Sequence, residues 1–296
     1  VPELPELEVL ARHLHARGVG RTVTGVQVRS VAVLKTADPP PDALEGRRIA
    51  EVSRRGKYLC LHVPPLWLVL HLGRAGWVRV AEGAPGRPGD PGAGAGGLRP
   101  GRSPLALRLV LDDGTAFALT EAGTEKRAAA WVVRDPAAVA ALGALGTDPL
   151  SADFTAARLG AILAGAGRAR LKGVLTDQRR VAGLGNAYSD EALHAARLSP
   201  FKPAGSLDPE EVARLHAAIV GVLTDAVRRA EGAGAAGLKR EKKAGLRVHG
   251  RQGEPCPVCG DTIRSVFFAE SSLQYCPRCQ TGGRRLADRR LSRLLK

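Results

Sequence analysis

Val1-Pro2-Glu3-Leu4-Pro5-Glu6-Leu7-Glu8 opens the chain, and its reading carries the rest. Two readings compete. In the first, Pro5 begins a helix, and Glu6 and Glu8 lie favourably near the positive helix end. In the second, Pro2 becomes an N-terminal secondary amine once Val1 is removed. Such an amine attacks a sugar C1′ and forms an iminium, with Glu3 beside it as proton donor or acceptor. An α-amino group titrates near ~8, so a usable fraction is neutral at physiological pH. Leu7, Leu10 and Leu14 fall at i, i+3, i+7, so a helix follows on either reading.

The length of 296 residues suggests two domains, or one domain and an appendage. There are 44 Lys+Arg against 29 Asp+Glu, a formal charge of +15, which favours a polyanion such as nucleic acid. No apolar run approaches the roughly 20 residues that span a bilayer. Acids stand where a secretory leader has its basic region, so the expected location is the cytoplasm. Methionine is absent and the chain begins with Val, which suggests an alternative start codon written literally.

Short β-like runs follow the first helix at 21–34, 48–52, 58–63, 66–72, 77–80, 105–111, 115–120 and 128–133. Turn residues punctuate them, a pattern of a sandwich or barrel. Arg54-Arg55-Gly56-Lys57 reads as a hairpin tip, either a phosphate grip or a solvated turn. His71-Leu72-Gly73-Arg74-Ala75-Gly76 reads as a tight loop with Arg74 at its tip. Residues 83–101 hold eight Gly and four Pro and read as a flexible loop. Residues 121–127, including Lys126 and Arg127, form a polar loop.

From 151 the period becomes helical. Helices are expected after Asp153, over 171–179, from Gly183-Leu184-Gly185-Asn186 to about 197, and from Asp208-Pro209-Glu210-Glu211 onward. The last has the pattern of a capping box with proline at the first helical position. The glycine-rich, basic stretch at 232–249 reads as a mobile loop, either over nucleic acid or as a linker.

Cys256-Pro257-Val258-Cys259 and Cys276-Pro277-Arg278-Cys279 are separated by sixteen residues. Each CxxC knuckle supplies two thiolates, and four thiolates make a closed, structural zinc site, with an iron–sulfur cluster as the alternative. Cys60, in an apolar run, reads as core. The domains expected are a β-sandwich with a leading helix (1–134), a linker (135–150), a helical domain (151–231), the basic loop (232–249), a zinc-ribbon β-hairpin (250–283) and a basic C-terminal helix (284–296). The class is α+β multidomain.

These pieces together resemble the Fpg/Nei family of base-excision DNA glycosylases. The matching stretches are PELPELE at 2–8, RRGKYL at 54–59, HLGRAG at 71–76, LKGVLTDQ at 171–178, GLGNAYSDEAL at 183–193, GRQGEPCPVCG at 250–260 and YCPRCQ at 275–280. The resemblance implies a β-sandwich joined to a helix–two-turns–helix domain with a zinc finger. It implies Pro2 as nucleophile, Glu3 as acid/base, and Lys57 as a phosphate-contacting active-site lysine. It implies Asn186 holding phosphate at a helix start, with Lys172 and Arg168 adding contacts. Arg54, Arg55, His71, Arg74, Lys126 and Arg127 complete the expected DNA face. The implied partner is damaged DNA, bound by a monomer carrying one Zn2+.

The chain departs from the family pattern at several places. Arg74 stands where the family often has methionine, EAGTEKR replaces the wedge loop DPRRFG, Ser271 replaces a finger arginine, and 232–247 lacks the GYF element. The implied activity is removal of oxidised or ring-opened bases with strand cleavage by elimination. The alternatives are a catalytically weak protein that binds lesions or abasic sites, and a general nucleic-acid zinc-ribbon protein.

Overall fold

The computed structural model describes the chain except Val1, 82–103, Gly123, 269–271 and 287–296, together with the side chains of 234–236 and Lys239. The expected loop at 83–101, Ser271 and most of the expected C-terminal helix lie outside the described residues. Residues 284–286 are not helical.

The chain divides into two compact units. The first holds Glu6–Ala144. Most of helix α1 (Leu4–Gly18) lies in it, with Leu7, Leu10 and Leu14 buried. Among the described residues eight strands follow: β1 (Val23–Val28), β2 (Glu51–Arg55), β3 (Tyr58–Val63), β4 (Leu66–His71), β5 (Gly76–Ala81), β6 (Leu105–Leu111), β7 (Ala116–Glu121) and β8 (Ala129–Val133). They form two antiparallel sheets, ordered β1-β6-β7-β5 and β2-β3-β4-β8. Leu61, Leu68 and Leu70 of one sheet meet Leu107, Leu109, Phe117 and Leu119 of the other around a residual void of about 10 Å³. This is the sandwich expected from the alternating runs. The run at 21–34 is interrupted: after β1 the chain makes a 3-10 turn at Val31–Val33. The stretch 135–150 is ordered too, with a turn at Pro136–Ala138 capped by Asp135 and a single helical turn, α2 (Ala140–Gly143).

The second unit holds Glu3–Pro5, Leu145–Ala233 and the chain from Gly237 on. Its helices are α3 (Ala156–Ala166), α4 (Leu171–Thr176), α5 (Asn186–Ala195) and α6 (Pro209–Gly245). Leu4, Leu159, Leu163, Leu171, Leu193, Leu215, Ile219 and Leu223 belong to one core. The capping box is present: the Glu211 N–H donates to Asp208 Oδ1 at 2.8 Å, and the Asp208 N–H to Glu211 Oε2 at 3.2 Å. Strands β9 (Arg264–Phe267) and β10 (Ser272–Tyr275) pair antiparallel, and the short α7 (Pro277–Thr281) follows.

The loop expected at 232–249 is corrected: its backbone is helical as far as Gly245. Ala, Leu, Lys, Arg and Glu, all strong helix formers, outweigh its glycines. Yet the helix is not straight. Arg229 Nε lies 2.8 Å from Glu241 Oε1, and Arg229 also pairs with Asp225. Twelve residues of straight helix rise ~18 Å, beyond the reach of both side chains together. The helix therefore bends sharply between them, where Gly232, Gly234 and Gly237 cluster.

Candidate active site and zinc centre

Glu3 is built into the start of α5. The residue before that helix is Gly185, which has no side chain to cap it. The Glu3 carboxylate takes that place: Oε1 accepts from the Ala187 N–H at 2.9 Å, and Oε2 from the Tyr188 N–H at 3.3 Å. A helix N-terminus stabilises an anion through these unpaired donors and the aligned peptide dipoles. The Leu4 N–H donates to the Gly183 carbonyl at 3.1 Å and fixes the chain beside it. A Cβ on Gly185 would lie 2.4 Å from Glu3 Cδ, so glycine is required for the approach. Glu3 is buried, and its neighbour Pro2 is buried as well.

At the α5 N-terminus, where Asn186 is expected to hold phosphate, the Ala187 and Tyr188 N–H groups hold Glu3. Asn186 also works inward: its Nδ2 donates to the Ser272 carbonyl at 2.6 Å. Lys172 is corrected as well. It is buried, and its Nζ donates to Asp190 Oδ1 at 2.5 Å, to the Asn186 carbonyl at 2.9 Å and to Ser189 Oγ at 3.2 Å. Burial pulls its pKa down, and the Asp190 charge and hydrogen bond oppose that shift. Arg168 is exposed.

In the first unit, Gly56-Lys57 closes the β2–β3 hairpin, with Arg55 paired to Tyr58. Lys57 is half-buried at that turn, and Arg55 lies 5.3 Å from the Trp67 ring. Arg54 turns inward. Only 5% of its side chain is exposed, and it is held by Glu8 Oε2 at 2.8 Å and the Gly56 carbonyl at 3.1 Å. His71 Nδ1 accepts the Gly73 N–H at 3.3 Å, and its ring lies 4.9 Å from that of Tyr58. Burial, then the Lys57 charge, lower its pKa, so the imidazole is neutral near pH 7. Gly73 adopts φ +57 against the Arg127 backbone, and Arg74 stands exposed beyond it. Lys126 donates to the Glu121 carbonyl at 2.6 Å, and Arg127 pairs with Glu125 at 3.0 Å.

Sequence reasoning missed four groups. Buried Glu121 Oε1 accepts the Arg127 and Ala128 N–H groups at 2.7 and 2.9 Å and shapes the loop that carries the expected wedge residues. Asp190 and Glu191, adjacent on α5, are both buried. Asp190 Oδ2 meets His249 Nδ1 at 2.8 Å and accepts the Gln274 N–H at 3.1 Å. Glu191 accepts the N–H groups of Arg247, Val248 and His249 at 2.8 to 2.9 Å. Lys242 Nζ lies 3.7 Å from Glu3 Oε1 and 4.8 Å from the centre of the Tyr188 ring. Spacing in the chain offers no signal for any of these contacts.

The four cysteine sulfurs lie within 4.8 Å of one another. Tetrahedral zinc with Zn–S bonds of ~2.3 Å places its sulfurs ~3.8 Å apart. Cys256 and Cys279 are separated by 3.9 Å, and Cys259 and Cys276 by 3.3 Å, so the set fits. His194 Nε2 on α5 approaches Cys256 Sγ at 3.2 Å. Burial pushes the Cys276 thiol up to about 11. Metal uptake therefore releases protons, and zinc affinity falls as pH falls. Paired strands of four residues cannot hold a fold alone. We expect one zinc per chain by native mass spectrometry, and a chain bearing Cys276→Ser should carry none and be cut by protease within 253–282. Full retention of protease resistance in that variant would contradict a structural role for the metal.

The family models decide the classification. Residues 1–123 match the formamidopyrimidine-DNA glycosylase N-terminal domain, 145–236 its H2TH domain, and 253–282 the zinc finger found in FPG and IleRS. The chain belongs to the formamidopyrimidine-DNA glycosylase family. A formamidopyrimidine-DNA glycosylase from Symbiobacterium thermophilum is 37% identical over 293 residues, covering 95% of this chain and 89% of that protein. An uncharacterized formamidopyrimidine-DNA glycosylase-like protein of Mycobacterium tuberculosis is 60% identical over 153 residues, 52% of this chain and 95% of its own length. The structure of Lactococcus lactis Fpg bound non-covalently to DNA containing an AP site superposes with a TM-score of 0.77 at 27% identity, covering 94% of this chain and 99% of that one. The finger of this family member carries one structural zinc on Cys256, Cys259, Cys276 and Cys279.

Proposed function

We propose that this chain is a base-excision DNA glycosylase with AP-lyase activity, acting on oxidised or ring-opened bases. The observation that carries this reading is Glu3, seated on the α5 N-terminus and joined by one peptide bond to Pro2. The Pro2 nitrogen attacks C1′, and the bond from C1′ to the base breaks with its electron pair on the departing base. The amine proton passes to Glu3. As the C1′–O4′ bond opens, that proton moves on to O4′ and the iminium forms. Loss of a C2′ proton then expels the 3′ phosphate, and water releases the protein.

Every step needs a free Pro2 nitrogen. While any residue precedes Pro2, that nitrogen belongs to a tertiary amide and is not nucleophilic. Lys57 and Arg168 grip the backbone phosphates, and Arg55 and His71 add contacts on the same partner. Arg74, Lys126 and Arg127 are the wedge candidates that fill the gap left by the extruded nucleotide. Arg54, Lys172 and the Asn186 side chain support the scaffold instead. The zinc finger steadies the DNA-binding unit and takes no part in the bond changes, since a closed four-thiolate site leaves no position for substrate.

We place the protein in the cytoplasm, working on the nucleoid as a monomer. Among the described residues no helix is long and apolar enough to cross a membrane.

The test is reduction in the presence of DNA. Protein whose mass shows Pro2 at the N-terminus should be trapped by borohydride on an oligonucleotide with an abasic site, as a one-to-one adduct. Pro2→Gly should change the yield markedly, and protein retaining Val1 should give no adduct. Failure of correctly processed protein to trap would remove the lyase assignment.

A further inference from the structure

Lys242 has no part in the reaction as written above, yet the structure places its ammonium against the proposed acid/base. The bend in α6 brings the far arm of that helix back to α5. Lys242 Nζ then lies 3.7 Å from Glu3 Oε1, with the Tyr188 ring 4.8 Å away on its other side. Only 15% of its side chain is exposed. The Arg229–Glu241 contact fixes the returning arm one residue before Lys242. The ammonium is therefore held at the carboxylate by the fold.

The reaction requires Glu3 in two states. It must begin as a carboxylate to take the proton that Pro2 loses, and then deliver that proton to O4′. A neighbouring cation favours the first state. Among the described residues, Lys242 from α6 and Lys172 from α4 bring positive charge toward Glu3, beside the Ala187 and Tyr188 N–H groups of α5. Lys172 is committed to Asp190 at 2.5 Å, which offsets much of its field. Without Lys242 the buried carboxylate loses a cation that favours its ionised form over the neutral acid, the form that cannot accept the amine proton.

We propose that Lys242 is a positioning residue for Glu3, holding the carboxylate ionised on the α5 N-terminus so that Glu3 enters the reaction as a base. The proposal rests on the glycosylase reading of Glu3. It assigns Lys242 no bond to DNA and no proton transfer of its own.

The experiment is a carboxyl titration by NMR on the zinc-loaded, full-length protein carrying 13C-labelled glutamate, with Glu3 assigned by its loss in Glu3→Gln. In Lys242→Met, and in Lys242→Gln as a second neutral variant, the Glu3 midpoint should rise by about one pH unit. The acid limb of single-turnover base release should move to higher pH by the same amount, with KM little changed. Lys242→Arg should restore both. Lys243→Met removes the same charge one residue along and should leave the midpoint in place. An unmoved midpoint in the neutral variants overturns the proposal, and so does an equal shift in Lys243→Met. The titration is read on protein without DNA, so its outcome is separate from whether abasic DNA is trapped.

Discussion

Gly185→Ala should lower the rate of base release by about 10²-fold or more while leaving the fold intact, because it evicts Glu3. The backbone does not object to the change. Gly185 has φ −126 and ψ −159, within reach of any residue. The space does object: the new methyl would stand 2.4 Å from Glu3 Cδ and 2.6 Å from Oε2. Glu3 must leave, and the Ala187 and Tyr188 N–H groups lose their acceptor. Two buried donors without a partner cost about 1–3 kcal/mol each, so some stability goes as well. Gly165→Ala is the matched control, because a Cβ there meets nothing within 4 Å and α3 gains a better helix former. Single-turnover kinetics on a lesion-bearing duplex, with zinc content and circular dichroism in parallel, would check the result. Wild-type rates in Gly185→Ala would mean that the carboxylate seat has no bearing on the chemistry.

The second large effect is on stability. Lys172→Met should lower the melting temperature by roughly 10 °C, through about 3–5 kcal/mol lost when a buried charge is stripped of its counterion. Asp190 is only 1% exposed, and the lysine is its 2.5 Å partner. Asp190 keeps His249 and the Gln274 N–H, so the damage should be greatest where α5 supports β10. Lys172→Met combined with Asp190→Leu should recover part of the loss, since removing both charges spares the desolvation of either. Arg228→Ala breaks a pair of similar distance, 2.7 Å to Asp225, but with the arginine side chain 79% exposed it should cost no more than ~1 kcal/mol. Equal melting temperatures for Lys172→Met and the parent protein would show that the pair carries no stability.

What was legible in the sequence was what is local. The capping box at Asp208 and Glu211, the two cysteine knuckles and the alternating strand runs each lie within a few consecutive residues. The resemblance in motif order supplied the arrangement of domains, which no local pattern contains. Side chains whose partners lie far along the chain give no local sign of them. Arg54 looked like a phosphate grip because arginine at a hairpin tip is usually solvated, but its partner Glu8 is 46 positions away. Asn186 looked free to hold DNA, but it holds a carbonyl 86 positions away. Lys172 is expected on the DNA face from the resemblance and its charge, and neither carries information about burial. The segment 232–245 was misread for another reason: its glycines do mark a change of direction, but the helix formers around them keep the backbone helical through it.

Glu191 has a consequence for how this chain can vary. Three successive backbone donors, at 247, 248 and 249, converge on one buried carboxylate more than fifty positions earlier. The path of the segment leading from α6 into the finger is therefore written in residue 191 and not in the segment itself. Side chains at an outward position such as 247 can drift over evolutionary time without changing that path, provided each keeps its N–H. Proline is the substitution that this arrangement forbids at all three positions, because it has no proton to offer. Position 191, by contrast, admits little: glutamine presents one acceptor oxygen where glutamate presents two, and shared inheritance of the bend and the carboxylate is the pattern that descendants of this chain should show.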